Sequence, residues 1–149
     1  MDKIRVTKEF DFEMAHALWN YDGACRNIHG HSYRLFVTLI GVPNVDSGNP
    51  KFGMVIDFKD LKAMVIGPVV DFFDHSLVVY KDAEGDILSS IRQMYEKVHV
   101  FDFQPTCENL VLYIVKTLRA SAAPGIDLQA VKLYETATSY AEWHAGDNL

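Results

Sequence analysis

The sequence predicts an α+β fold, on three observations. Residues 4–16 and 29–42 alternate apolar and polar side chains with a period of two, the signature of long half-buried strands. Two further stretches, 127–135 and 139–145, end the chain as strands. Between these pairs the apolar residues fall at helical spacing. Strands at both ends with helices between them describe a sheet covered by helices.

The first strand places Ile4, Val6, Phe10, Phe12, Met14 and His16 on one face, with Arg5, Thr7, Glu9, Asp11 and Glu13 on the other. A loop at 17–28 holds Asn20, Asp22 and Gly23. The second strand lines up His29, His31, Tyr33, Leu35, Val37 and Leu39. Val42-Pro43 through Asn49-Pro50 is rich in turn residues. Asp57 reads as the N-cap of a helix carrying Phe58, Leu61, Met64 and Val65. Pro68 ends or kinks that helix, and 69–75 receive no assignment.

Residues 80–103 hold a short helix (Ile87, Leu88, Ile91, Met94, Tyr95) and a short strand at Val98-His99-Val100-Phe101. Thr106 caps a stronger helix. Glu108 lies at its positive end, and Leu110, Tyr113, Ile114, Val115 and Leu118 fill its buried face. Pro124-Gly125 stops it. In the strand at 127–135, Val131, Leu133 and Glu135 share a face, so a carboxylate ends an apolar stripe and calls for a partner.

The chain has 149 residues, enough for one domain with an ordinary core, and 1–149 reads as that domain. Its 49% hydrophobic and 23% charged content is that of a globular protein. A net charge of −6 argues against nucleic acid as the main partner, because a phosphate backbone demands a broad basic surface. No run approaches the roughly 20 apolar residues of a membrane span. The N-terminus lacks the apolar block of a signal peptide, so a cytoplasmic location is expected. With two cysteines, Cys25 and Cys107, a reducing compartment makes a disulfide the lesser expectation.

The chemistry concentrates in Cys25-Arg-Asn-Ile-His29-Gly-His31. His29 and His31, at i and i+2, leave one face of a strand. If the first two strands pair antiparallel, His16 meets them at the same end of the sheet. Three neutral imidazoles form the ligand set of a catalytic zinc with an open fourth position. A thiol beside such an ion becomes a base or nucleophile. Two other readings stand at this point: three histidines satisfied by backbone hydrogen bonds, and a closed structural site with Cys25 as fourth ligand.

Asp74-His75 is a second acid–base pair. It is either an ordinary helix end or a proton relay that meets Cys25, within the chain or across a subunit boundary. Glu135 either reaches solvent or binds the N–H/NH₂ edge of a polar heterocycle such as a 2-amino-pyrimidinone. Cys107, His99 and His144 have no partners in spacing and read as packing or surface residues.

Phe12-Glu-Met-Ala-His16 followed by Cys25-x-x-x-His29-Gly-His31 resembles the 6-pyruvoyltetrahydropterin synthase family. Gly53-Met-Val-Ile-Asp57-Phe, Phe73-Asp74-His75, Pro105-Thr106-Cys-Glu108-Asn109-Leu and Tyr134-Glu135-Thr follow in the family's order. The three-residue gap between Cys25 and His29 is similar to the bacterial branch, the 6-carboxy-5,6,7,8-tetrahydropterin synthases of queuosine biosynthesis. The pyruvoyl-forming branch has a longer gap.

The resemblance implies a T-fold: a four-stranded antiparallel sheet with two helices on one face. Three subunits would close a β-barrel, and two trimers would stack into a hexamer. It implies His16, His29 and His31 as Zn²⁺ ligands, Cys25 as catalytic base, and Asp74 and His75 as its partners. Glu135 would anchor the pterin, with Thr106 and Glu108 at the pocket. The implied substrate is 7,8-dihydroneopterin triphosphate, cleaved to the carboxypterin with loss of acetaldehyde and triphosphate; Arg26 is a candidate for the triphosphate. The alternatives are a pyruvoyl-forming synthase and a non-catalytic zinc-stabilised oligomer that binds a pterin. Two features depart from the family: Val79 stands where Asn or Asp is common, and segment 80–103 is longer than in compact bacterial members.

Overall fold

The computed structural model describes residues 1–83, 85–121 and 125–148. Strands β1 (Ile4–His16) and β2 (His29–Gly41) pair antiparallel over their full length, with Ile4 opposite Gly41 and His16 opposite His29. The period-two pattern fixes that register, because a slip of one residue would turn every core side chain to the other face. β5 (Asp127–Tyr134) pairs antiparallel with β2, and β6 (Tyr140–His144) with β5. All four strands stand where alternation places them.

The sheet nevertheless has six strands and is mixed, in the order β4-β3-β1-β2-β5-β6, which corrects the four-stranded antiparallel expectation. β3 (Ser76–Tyr80) and β4 (Val98–Phe101) are added in parallel at the C-terminal end of β1. β3 is illegible from alternation because Val78 and Val79 are both buried: a short strand covered on both faces carries no period-two signal. β3 pairs with β1 only at Met14–His16. The described residues give the earlier part of β1 no partner on that edge.

Asp57 caps α1 (Phe58–Val65) by accepting from the Lys59 N–H at 2.8 Å, a bond worth about 1 kcal/mol. Pro68 does not end this helix. Ile66–Val70 form one wider turn, in which the Asp71 N–H reaches the Ile66 carbonyl, and α2 (Asp71–Phe73) continues beyond it. Such a turn absorbs a residue that has no N–H to give. α3 (Gly85–Met94) lies in the longer middle segment, and α4 (Cys107–Arg119) follows the Thr106 cap. Pro124, expected to stop α4, lies outside the described residues.

The core lies between one sheet face and two helical segments. Phe10, Phe12, Met14, Tyr33, Leu35 and Val37 meet Leu61, Val65, Val69 and Phe73 from the first helical run and Leu110, Ile114 and Leu118 from α4. The Phe12 ring stacks on Tyr33 and Phe73 at 5.2 and 5.6 Å. His16, His29 and His31 continue this same face at its open end. Among the described residues no helix is long and apolar enough to cross a membrane.

Candidate metal centre

Antiparallel pairing of β1 with β2 brings the three imidazoles together. Their ring centroids are 4.6 to 5.2 Å apart, and their ligating nitrogens all lie within 4.8 Å of one another. His16 Nδ1 donates to the Pro105 carbonyl at 2.7 Å, and His29 Nδ1 donates to the Asn27 carbonyl at 2.7 Å. A carbonyl only accepts, so each Nδ1 carries the ring proton and each Nε2 of the neutral ring is a lone pair.

These two lone pairs face each other at 3.1 Å. Two acceptors at that distance repel unless a proton or a cation lies between them. Burial lowers the His16 pKa, against the opposing pull of the Pro105 carbonyl and Glu135, which disfavours the proton. In a tetrahedral zinc site with bonds of about 2.0–2.1 Å, ligand nitrogens stand roughly 3.3 Å apart. The third ring adds a buried Nε2 on His31 with no hydrogen-bond partner. The backbone bonds that an ordinary histidine would use are thus present on two of the three rings, and they turn the Nε2 atoms of His16 and His29 toward each other. The donor set fits a borderline-soft divalent ion.

Cys25 lies on a short turn, Ala24–Arg26, at the end of the 17–28 loop. It does not belong to the group of side chains able to share one ion, which comprises the three histidines alone among the described residues. Its carbonyl accepts from Leu18 N at 2.9 Å, which closes the loop. Gln104 clamps the same loop by accepting from Trp19 N at 2.8 Å and donating to the Trp19 carbonyl at 2.7 Å. Gln104 and Pro105 together therefore hold the thiol loop and the His16 ring. Neither was identified from sequence, since a carbonyl acceptor leaves no side-chain signal and a lone Gln is ordinary.

Glu135 ends the stripe beside the histidines: Oε1 is 3.6 Å from His31 Nε2, close but longer than a hydrogen bond. Thr106 accepts from Asn109 N at 3.3 Å in its capping role, and Glu108 is exposed on the first turn of α4. Cys107 is different in kind from Cys25. Burial, helped by Glu135 and Glu108, pushes its thiol up to about 11, and the protonated Sγ donates to the Leu133 carbonyl at 3.3 Å. A residue missed in the sequence is Tyr33, whose ring lies edge-on to His31 at 5.6 Å. Its buried hydroxyl has no partner, and burial raises its pKa strongly.

Asp74 and His75 contact each other, Oδ2 to Nδ1 at 2.9 Å, and are tied to β1 at Glu13. The Glu13 N–H donates to Asp74 Oδ1 at 2.9 Å, and His75 N donates to the Glu13 carbonyl at 2.6 Å. His75 adopts φ 59°, a left-handed conformation that costs a non-glycine residue about 1–2 kcal/mol. The Glu13 bond holds the Asp74 pKa below its ordinary value.

His75 borders a cleft of about 890 Å³ with Glu13, Ala15, Gly30, His31 and Ser32. By alternation, Glu13, Ala15, Gly30 and Ser32 belong to the sheet face opposite the three histidines. Among the described residues no hydrogen bond or ion pair joins Asp74 or His75 to Cys25. The pair and the thiol are thus not bonded to each other within the chain; the other arrangement expected for them is across a subunit boundary.

The profile of the 6-pyruvoyl tetrahydropterin synthase family matches residues 5–145. The chain is 33% identical over 142 residues to a 6-carboxy-5,6,7,8-tetrahydropterin synthase of Haemophilus influenzae, covering 94% of this chain and 98% of that one. A Synechocystis protein of the same name is 33% identical over 138 residues, covering 93% and 91%. Among solved structures, the 6-pyruvoyl tetrahydropterin synthase of Caenorhabditis elegans shares the fold with a TM-score of 0.69 at 24% identity over 97% of both chains. An uncharacterized Wolinella succinogenes protein does so with a TM-score of 0.78 at 22% identity, over 97% of this chain and 99% of that one. Matched over nearly its whole length, the chain belongs to the 6-pyruvoyl tetrahydropterin synthase family and is an enzyme of it, a lyase.

Proposed function

We propose that the chain is a zinc-dependent 6-carboxy-5,6,7,8-tetrahydropterin synthase. It takes 7,8-dihydroneopterin triphosphate and water to the carboxypterin, acetaldehyde and triphosphate. The observation that carries this reading is the pair of unprotonated Nε2 atoms of His16 and His29 at 3.1 Å, with the orphaned Nε2 of His31 beside them. Zinc bound there would act as a Lewis acid on the substrate's side-chain hydroxyls.

Cys25, outside the ligand group and partly exposed, removes a side-chain proton as thiolate. The Glu135 carboxylate accepts from the N–H/NH₂ edge of the pterin, with Thr106 and Glu108 bordering that pocket. Asp74 orients His75, and the pair exchanges protons with Cys25 of a neighbouring subunit. In support, the His75 side chain is 79% exposed and makes no hydrogen bond or ion pair to Cys25 of its own chain. In this reading 1–149 is one synthase domain, three chains close a barrel through the open edge of β1 and the terminal strand β6, and two trimers stack.

The test is product analysis after mixing purified protein with 7,8-dihydroneopterin triphosphate. Acetaldehyde with carboxytetrahydropterin supports the proposal. A pyruvoyl pterin would assign the other branch, and bound but unchanged substrate would make the chain a pterin-binding oligomer.

A further inference from the structure

The segment from 80 to 103 has no part in the metal centre, yet it ends against the Asp74–His75 corner. The last carbonyls of the helical run that starts at Phe58 are those of Asp71, Phe72, Phe73 and Asp74. A helix end ordinarily leaves such groups to water or to a tightened final turn. Here each one is taken by a side chain. Lys97 Nζ donates to the Asp71 carbonyl at 2.5 Å and to the Asp74 carbonyl at 2.6 Å. His99 Nε2 donates to the Phe72 carbonyl at 2.7 Å, and Ser76 Oγ donates to the Phe73 carbonyl at 2.6 Å.

Three features make this more than a helix cap. His75 follows the helix in a left-handed conformation, the place where helices usually put glycine, so its geometry must be imposed from outside. The His99 ring also stacks on Phe72, with centroids 3.8 Å apart and planes 10° apart, which fixes it against the helix end. Lys97 lies in the cleft that His75 borders, and its own carbonyl accepts from Leu77 N at 2.9 Å, joining β4 to β3 directly after the corner. A cation at the negative end of the helix is also electrostatically favoured.

The geometry points to Lys97 and His99 as positioning residues: they hold the carbonyls at the helix end so that Asp74 stays bonded to the Glu13 N–H and to His75, and His75 presents its side chain to the cleft in one conformation. The consequence for turnover rests on the proton-transfer role proposed for His75. The consequence for conformation does not, and the two are read separately.

The variants are K97M, K97R and H99F, in zinc-loaded full-length protein. H99F keeps the stacking and removes only the donor. Conformation is read from hydrogen exchange of the Glu13 amide, which Asp74 Oδ1 accepts, and from the Asp74 carboxyl titration by NMR. K97M is expected to speed Glu13 exchange about tenfold and to move the Asp74 pKa back toward the ordinary carboxylate value. It should lower kcat about tenfold while KM and zinc content change less than twofold, with K97R restoring most of the loss.

Unchanged Glu13 exchange and Asp74 titration in K97M overturn the positioning role. A faster exchange with unchanged kcat, in a protein that H75A inactivates, overturns its bearing on catalysis. If H75A itself keeps full turnover, the proton-transfer role of His75 fails, and the exchange data alone decide the positioning. Should K97M unfold, H99F carries the same readings.

Discussion

His16 and His29 stand opposite each other across the β1–β2 pair and point unprotonated nitrogens at one another over 3.1 Å. Each is turned to that position by a backbone carbonyl behind it, from Pro105 and from Asn27. Such a pair is tense without a cation and content with one. His16→Ala should therefore reduce zinc from about one per chain to a trace, measured by elemental analysis after dialysis. Full zinc retention in the variant would remove His16 from the site.

The two thiols should separate cleanly in alkylation. Cys107 at about 11 is almost wholly protonated at pH 8 and donates to the Leu133 carbonyl, whereas Cys25 lies half-buried on a loop turn. Since the thiolate is the reacting form and the Cys107 thiol is held protonated, iodoacetamide should modify Cys25 well before Cys107. Peptide mass mapping over time checks this, and comparable rates would contradict the environment described for Cys107.

Asp74 makes stability depend on acid. Its folded pKa lies below the ordinary 3.8, so the unfolded state binds more protons as the pH falls toward that range. The contribution is complete above about 3.8 and is lost as the pH drops through the lower folded value. Urea unfolding should show wild type ahead of Asp74→Asn at pH 7, with the gap narrowing as the pH falls below the ordinary 3.8. A gap that stays constant with pH would mean that the charge is irrelevant.

Tyr33 carries a buried hydroxyl without a partner. Removing an unsatisfied buried polar group relieves its desolvation cost, about 1–3 kcal/mol at most. Tyr33→Phe in zinc-free protein should thus be neutral or more stable by urea titration. A loss above about 1 kcal/mol would reveal a partner for the hydroxyl.

Glu135→Gln keeps the size of the side chain but loses its charge. A charge-assisted hydrogen bond of about 1.5–3 kcal/mol corresponds to roughly 10- to 150-fold in pterin affinity. Calorimetry with a non-reacting pterin checks it, and an unaltered Kd would dismiss the anchor.

Sequence periodicity reached far where side chains alternate and little where they do not. The pattern from Ile4 to His16, continued from His29, puts three imidazoles on one face once the two strands pair antiparallel. The 76–80 strand was silent because Val78 and Val79 are both covered. Pro68 suggested a helix end or a kink, and of the two it is an irregularity, a widened turn that carries the helix past it. The histidine cluster was legible in the sequence, yet the Pro105 carbonyl and the Gln104 clamp were not, because backbone acceptors come from any residue and a lone Gln is ordinary. His99 read as packing or surface and turned out to bind the Phe72 carbonyl. Asp74 and His75 were found as a pair, but no sequence rule says which face of the sheet they serve.

The widened turn at Ile66–Val70 has a consequence in rotation. Leu61, Val65, Val69 and Phe73 are all buried, each four residues after the last. A regular helix advances about 100° per residue, so three such steps would carry Phe73 roughly 120° around the axis from Leu61. A turn that uses more residues rotates less with each one, and this keeps Phe73 on the core side. The turn is thus a phase setter for everything beyond it. Removing one residue between 66 and 70 would swing the Asp74–His75 corner by about 100°, so the length of this turn is as much a part of the corner's address as its side chains are.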